Sequence, residues 1–163
     1  AVRVVREAAL FPHSREALQR LSPRATQKES TAKGGRGTGY RLQMLVKLAA
    51  AILVETPFYV TLDSDVLLTR RTRFSDLVVD GRGVYQHDPG NQHGNWWDAS
   101  KQVLRTTDGC PRQLEGGVTP AVLSTQVSRE LLAHIERLHK GRAWDAALFE
   151  QLEGGADWTE YTL

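Results

Sequence analysis

Two aspartates, Asp63 and Asp65, stand at the end of the apolar run Phe58-Tyr59-Val60-Thr61-Leu62, with Ser64 between them. The run is rich in β-branched and aromatic residues, follows Pro57, and reads as a buried strand. Side chains alternate along a strand, so Asp63 and Asp65 are expected to project to one face. Two carboxylates held that close repel each other, and a cation between them relieves the repulsion. The pair therefore predicts a divalent metal at the carboxyl end of a central strand, the edge where open α/β sheets take ligands. The competing reading is a turn in which each aspartate hydrogen-bonds nearby backbone amides. Five preceding strand residues and the following Val66-Leu67-Leu68 favour the metal.

The elements around this pair follow from periodicity. Residues 41–54 form the strongest helix, with Leu42, Leu45, Leu48, Ala49 and Ile52 covering one broad face. Gln43 and Lys47, one turn apart, share the other side. Further strands are expected at 2–6, 83–87 and 118–123, the last despite Pro120. Shorter helices are expected near 15–21 and from Trp96 to Leu104, and a short helical or irregular piece from Phe74 to Val79. Ser128 is expected to cap a helix with the stripe Leu131, Leu132, Ile135 and Leu138, stopped by Gly141. A helix over 143–152 buries Trp144, Ala147 and Leu148, and Asp157-x-x-Glu160 resembles a capping box opening another. Alternating strands and helices argue for an α/β sandwich with a central mixed sheet.

Composition narrows the function. The 163 residues suit one domain, and 40% hydrophobic with 25% charged content is ordinary for a soluble globular chain. Lys+Arg 21 against Asp+Glu 19 is too balanced to predict a nucleic-acid binder. Cys110 is the only cysteine, so there is no intrachain disulfide and no cysteine-rich zinc site. No apolar run reaches the roughly 18–20 residues of a membrane span. The run Lys33-Gly34-Gly35-Arg36-Gly37-Thr38-Gly39 has neither the Walker pattern nor the dinucleotide fingerprint, and reads as a linker or a lid. Residue 1 opens inside a strand-like stretch and Leu163 closes without a stop signal, so the chain reads as a piece of a larger domain, truncated at both ends.

Gly39-Tyr40-Arg41-Leu42-Gln43-Met44-Leu45-Val46-Lys47-Leu48, the Phe58–Asp65 stretch and the terminal Thr159-Glu160-Tyr161-Thr162-Leu163, taken in order, resemble nucleotide-sugar glycosyltransferases of the GT-A fold. More closely, they are similar to a poorly characterised family with a Gly-aromatic-x-x-Gln helix, an Asp-x-Asp strand and a terminal Ser/Thr-Glu-Tyr stretch. The resemblance spans roughly residues 39–163. It implies a metal-dependent transfer of a sugar from a nucleotide-diphosphate donor to a saccharide or other hydroxyl acceptor. Asp63 and Asp65 would hold Mn²⁺ or Mg²⁺ against the donor diphosphate, where the metal acts as a Lewis acid. Gln43 and Lys47 match polar positions of a helix beside the nucleotide; Lys47 pairs with phosphate or simply lies on a solvated face. Glu160 is the candidate base that takes the acceptor proton, or else a helix cap. Gly116-Gly117 allow close backbone approach to an acceptor, or form a tight bend.

The loop from His87 to Asp98 adds His87, Asp88, His93, Trp96 and Trp97. Trp96 and Trp97 suit stacking against a sugar acceptor, with His87 beside them as a further acceptor contact; a histidine of this loop is alternatively a further metal ligand or simply solvated. Only one strand precedes the long loop at 22–39, so the leading nucleobase-binding segment of a GT-A domain is expected to be missing. The resemblance is compatible with a bacterial cytoplasmic protein or a eukaryotic Golgi-lumen one. Two rivals remain. One is a carbohydrate- or nucleotide-binding relative without turnover. The other is a haloacid-dehalogenase-like phosphatase with Asp63 as nucleophile, against which Leu67 stands where Thr or Val is wanted.

Overall fold

The computed structural model describes residues 4–5, 7–11, 38–86, 94–107, 119–153, 156 and 158–163. In chain order the elements are α1 (Glu7–Leu10), α2 (Thr38–Leu53), β1 (Phe58–Thr61), α3 (Phe74–Leu77), β2 (Val78–Val79), β3 (Arg82–Gly83), α4 (Gly94–Leu104), β4 (Ala121–Ser124), α5 (Thr125–Leu138) and α6 (Trp144–Glu153). The architecture is mixed α/β.

The core is built mostly by helices. Met44, Leu45, Leu48 and Ala49 of α2 meet Leu132 and Ile135 of α5 and Ala147, Leu148, Phe149 and Leu152 of α6. Phe11 closes one end, edge-on to Phe149 with centroids 5.9 Å apart and tilted 60° against Trp144 at the same separation. The wide face expected for α2 is buried through Leu45, Leu48 and Ala49, whereas Ile52 lies 49% exposed near the helix end. Arg129 of α5 finishes α2: its Nε donates to Ala51 O at 2.8 Å and its NH2 to Val54 O at 2.7 Å, satisfying carbonyls that the last turn leaves open.

Among the described residues the strands form two antiparallel pairs. Phe58 of β1 faces Ser124 of β4, and the register runs to Thr61 opposite Ala121. The second pair is a hairpin, Val78 opposite Gly83, turned by Asp80 and Gly81 with φ of 50° and 72°. Two successive residues of positive φ are what a two-residue type I′ connection requires. The hairpin lies close on β4: a Cβ on Gly83 would stand 3.1 Å from both Val122 Cγ1 and Val122 O.

Several sequence expectations are corrected. Val4 and Val5 are outside any strand, and Glu7–Leu10 is helical, so a strand over 2–6 does not form among the described residues. The strand expected over 83–87 is confined to Arg82–Gly83, because the Asp80-Gly81 turn sets a two-residue ladder. Ser124, not Ser128, caps α5. Its backbone is extended, ending β4, and its hydroxyl accepts from Val127 N at 3.4 Å. Ser128 is buried in the first turns of α5 and accepts from Tyr59 Oη at 3.0 Å. Among the described residues no helix opens near Glu160; residues Thr159–Thr162 form a turn, with Thr162 N bonded to Thr159 O at 3.1 Å. The expected helix at 15–21, residues 33–37 of the linker or lid expected over 33–39, and Cys110 lie outside the described residues, whereas Thr38 and Gly39 of that stretch already belong to α2.

Candidate functional site: a lysine between two carboxylates

Lys47 sits in the middle of α2, one turn beyond Gln43, on a stretch whose neighbours Leu45, Leu48 and Ala49 are buried. Packing of that helix carries Lys47 inward with them, so the residue is only 8% exposed. Its Nζ is 2.6 Å from Asp63 Oδ1, 2.7 Å from Tyr161 Oη and 2.8 Å from Glu160 Oε1. An ammonium has three N–H donors, and these three oxygens occupy them all. Gln43 Nε2 donates to the same Asp63 oxygen at 2.6 Å. Segments more than a hundred residues apart in sequence thus converge on one amino group.

Each arm of the cluster is held by its own local structure. Strand β1 ends at Thr61, and Val66 N bonds to Asp63 O at 3.0 Å, so Asp63-Ser64-Asp65 begins a turn. Strand alternation therefore does not set the relation between the two aspartates, and the turn is the geometry found. Thr119 Oγ1, next to β4, accepts from Asp63 N at 3.2 Å and fixes the turn from the other side. At the carboxyl end, Thr162 Oγ1 bonds Ser100 Oγ of α4 at 2.7 Å and lies 3.4 Å from Trp96 O. Those bonds dock the terminal turn on α4 and present Glu160 and Tyr161 to Lys47.

Burial alone lowers the affinity of Lys47 for its proton, but the hydrogen bonds to Asp63, Glu160 and Tyr161 outweigh it and hold the ammonium well above the ordinary lysine range. Burial pushes the Tyr161 hydroxyl up; the Lys47 hydrogen bond opposes this and the Glu160 charge adds to it. Glu160 has a 2% exposed side chain, and its Oε2 is buried with no partner among the described residues. Its other oxygen, Oε1, is the one that meets Lys47 Nζ, and the residue also borders the cleft beside β4 and α5. Lys47 in turn directs its three N–H groups to Asp63, Tyr161 and Glu160.

The remaining candidates fall on both sides. Asp63 keeps a side chain 32% exposed, and Asp65 is exposed. Among the described residues no three His, Cys, Asp or Glu side chains group as a metal cage. The two aspartates do suit the way Mg²⁺ or Mn²⁺ is held by one or two carboxylates, with phosphate and water oxygens filling the other positions. Trp96 is buried, 8% exposed, and Trp97 half-buried with its indole N–H unpartnered among the described residues. His87, Asp88, His93, Gly116 and Gly117 lie outside the described residues. A cleft of about 540 Å³ between β4, α5 and the terminal turn is walled by Leu48, Ser128, His134, Arg137, Glu160 and Tyr161. Sequence reasoning missed Tyr161 and Thr119 as members of the site. The Thr-Glu-Tyr stretch was the available signal for the first; nothing in the sequence marks the second.

The fold and site define an α/β protein with a buried lysine–carboxylate cluster beside an exposed aspartate turn. The family of unknown function DUF6492 matches residues 1–163, and the chain belongs to it. No curated protein and no solved structure matches the chain. Among the described residues no helix is long and apolar enough to cross a membrane.

Proposed function

We propose that this chain is the GT-A-like part of a metal-dependent glycosyltransferase that uses a nucleotide-diphosphate sugar. The observation supporting this most is the convergence of the three stretches that carry the resemblance: the Gln43/Lys47 helix, the Asp63-Ser64-Asp65 turn and Glu160-Tyr161 meet within hydrogen-bond distance of Lys47 Nζ. In this reading the small β1–β4 pair belongs to the central mixed sheet of a GT-A sandwich.

Asp63 and Asp65 are the residues that would hold Mn²⁺ or Mg²⁺, which supplies charge neutralisation for the leaving diphosphate. Lys47 and Gln43 fix one oxygen of Asp63, leaving its other oxygen and the exposed Asp65 for the ion. Glu160 positions Lys47. The cleft bordered by Glu160 and Tyr161 is of a size that takes a saccharide or another hydroxyl acceptor.

Calorimetric titration with UDP and GDP, each with and without Mn²⁺, tests the reading. Metal-dependent nucleotide binding that disappears in Asp65→Asn is expected, with unfolding unchanged because Asp65 is exposed. Binding that ignores the metal, or survives the substitution, counts against the site; a folded chain that binds neither nucleotide counts against the whole reading.

A further inference from the structure

We propose that residues 66–74 form a contact with an anionic membrane surface, with Leu67, Leu68 and Phe74 entering the headgroup boundary and Arg70, Arg71 and Arg73 pairing with lipid phosphates. The apolar side chains are unusually bare: Leu67 is 85% exposed, Leu68 60% and Phe74 68%. Soluble proteins scatter single exposed apolar residues, but three within eight positions of one another call for an explanation. The three arginines are exposed too, and among the described residues none has an ion-pair partner. From Val66 to Ser75 the chain carries these three arginines and no acid. The nearest acids are the flanking Asp65 and Asp76, and Asp76 is engaged by the backbone N of Arg73 at 2.8 Å.

Charge and shape together select the occupant. Apolar groups beside unpaired cations match a layer whose surface is anionic and whose interior is hydrocarbon. Guanidinium groups bind phosphate by paired, charge-assisted hydrogen bonds. Leu67 stands nearly clear of the chain rather than lining a groove, and neither the 540 Å³ cleft nor the cavities beside it are walled by these residues. A protruding side chain suits penetration of a soft layer. The contact would bring the Asp63–Val66 turn, which immediately precedes it, against the membrane face. None of this rests on the glycosyltransferase reading.

Vesicle flotation of the 163-residue chain tests it, with circular dichroism confirming that every variant folds. Vesicles of phosphatidylglycerol and phosphatidylcholine are expected to bind the chain, and pure phosphatidylcholine at least about tenfold more weakly. Binding should fall by about tenfold in 0.5 M salt, as screening requires. Arg70→Gln/Arg71→Gln/Arg73→Gln and Leu67→Ser/Leu68→Ser should each lose about tenfold or more, and millimolar inorganic phosphate should not compete. No flotation, equal binding to neutral vesicles, or unchanged binding of either variant overturns the proposal. Competition by inorganic phosphate would reduce the arginines to a free-phosphate site, and binding to polyglutamate without vesicle binding would make the patch a protein-docking one; both also overturn it.

Discussion

Replacing Lys47 by Met keeps an unbranched apolar stem and removes the terminal ammonium, so it isolates the charge at the centre of the cluster. Glu160 is then a carboxylate with a 2% exposed side chain and no cation. Asp63 keeps Gln43 and, at 32% exposure, regains water. Removing one partner of a buried pair costs about 3–5 kcal/mol. Because Asp63 recovers solvent, the loss should come mainly from Glu160 and fall near the lower end, about 3 kcal/mol. With a urea slope of about 2 kcal/mol/M, the midpoint should drop by about 1.5 M.

The pH dependence separates this from ordinary loss of packing. In the variant the buried Glu160 side chain loses its cation, and burying a carboxylate without a partner favours the neutral form. The folded state then binds protons more strongly, and the variant should recover stability between about pH 7 and pH 5. The parent chain shows the corresponding effect at alkaline pH. Lys47 titrates above its ordinary 10.5 when folded, so its stabilisation is complete below that value and fades as pH rises beyond it. Tyr59 and Tyr161 are also raised, chiefly by burial, and act in the same direction above pH 10. Urea unfolding followed by tryptophan fluorescence from pH 5 to 11 reads all of this, and Lys47→Met/Glu160→Gln should restore most of the loss. If Lys47→Met is as stable as the parent at pH 7, with no acid recovery, the ammonium does not bridge the two carboxylates in solution.

Further predictions follow from the frame around the cluster. Arg129→Ala removes two hydrogen bonds to the end of α2 and should cost about 1–2 kcal/mol, less than a buried charged bond because the guanidinium is partly solvated. Hydrogen exchange at Val54, whose amide bonds Ala50 O at 3.1 Å, should accelerate in the same variant. Gly83→Ala places a methyl 3.1 Å from the Val122 backbone oxygen, which cannot rotate away, and should cost about 1–3 kcal/mol as the hairpin lifts from β4.

The parts of this fold that were legible in the sequence are those written in local periodicity. Residues 41–54 and 143–152 show their apolar stripes, and the observed helices Thr38–Leu53 and Trp144–Glu153 fall within a few residues of them. The hairpin escaped because its strands are two residues each, although Asp80-Gly81 is a turn signal in plain view. Ser128 reads as a cap because a hydroxyl ahead of an apolar stripe has the right local form; only the position of Tyr59, in a strand 69 residues earlier, shows that it is buried instead.

The site was legible as a set of residues and illegible as an arrangement, and Lys47 shows why. On a helical wheel it belongs beside Gln43 on a polar face, where a solvated ammonium or a phosphate contact are the natural expectations. What buries it is tertiary: Glu160 and Tyr161 arrive on a turn pinned to α4 through Ser100 and Thr162, and Asp63 on a turn held by Thr119. A buried lysine is tolerated only where anions meet it, and a buried glutamate only where a cation does, so neither placement can form first without the other. The pairing makes the exposed aspartate turn depend on the docking of the last five residues. Loss of the terminal turn should therefore release Lys47 and, through it, Asp63, while leaving the apolar seam of α2, α5 and α6 in place.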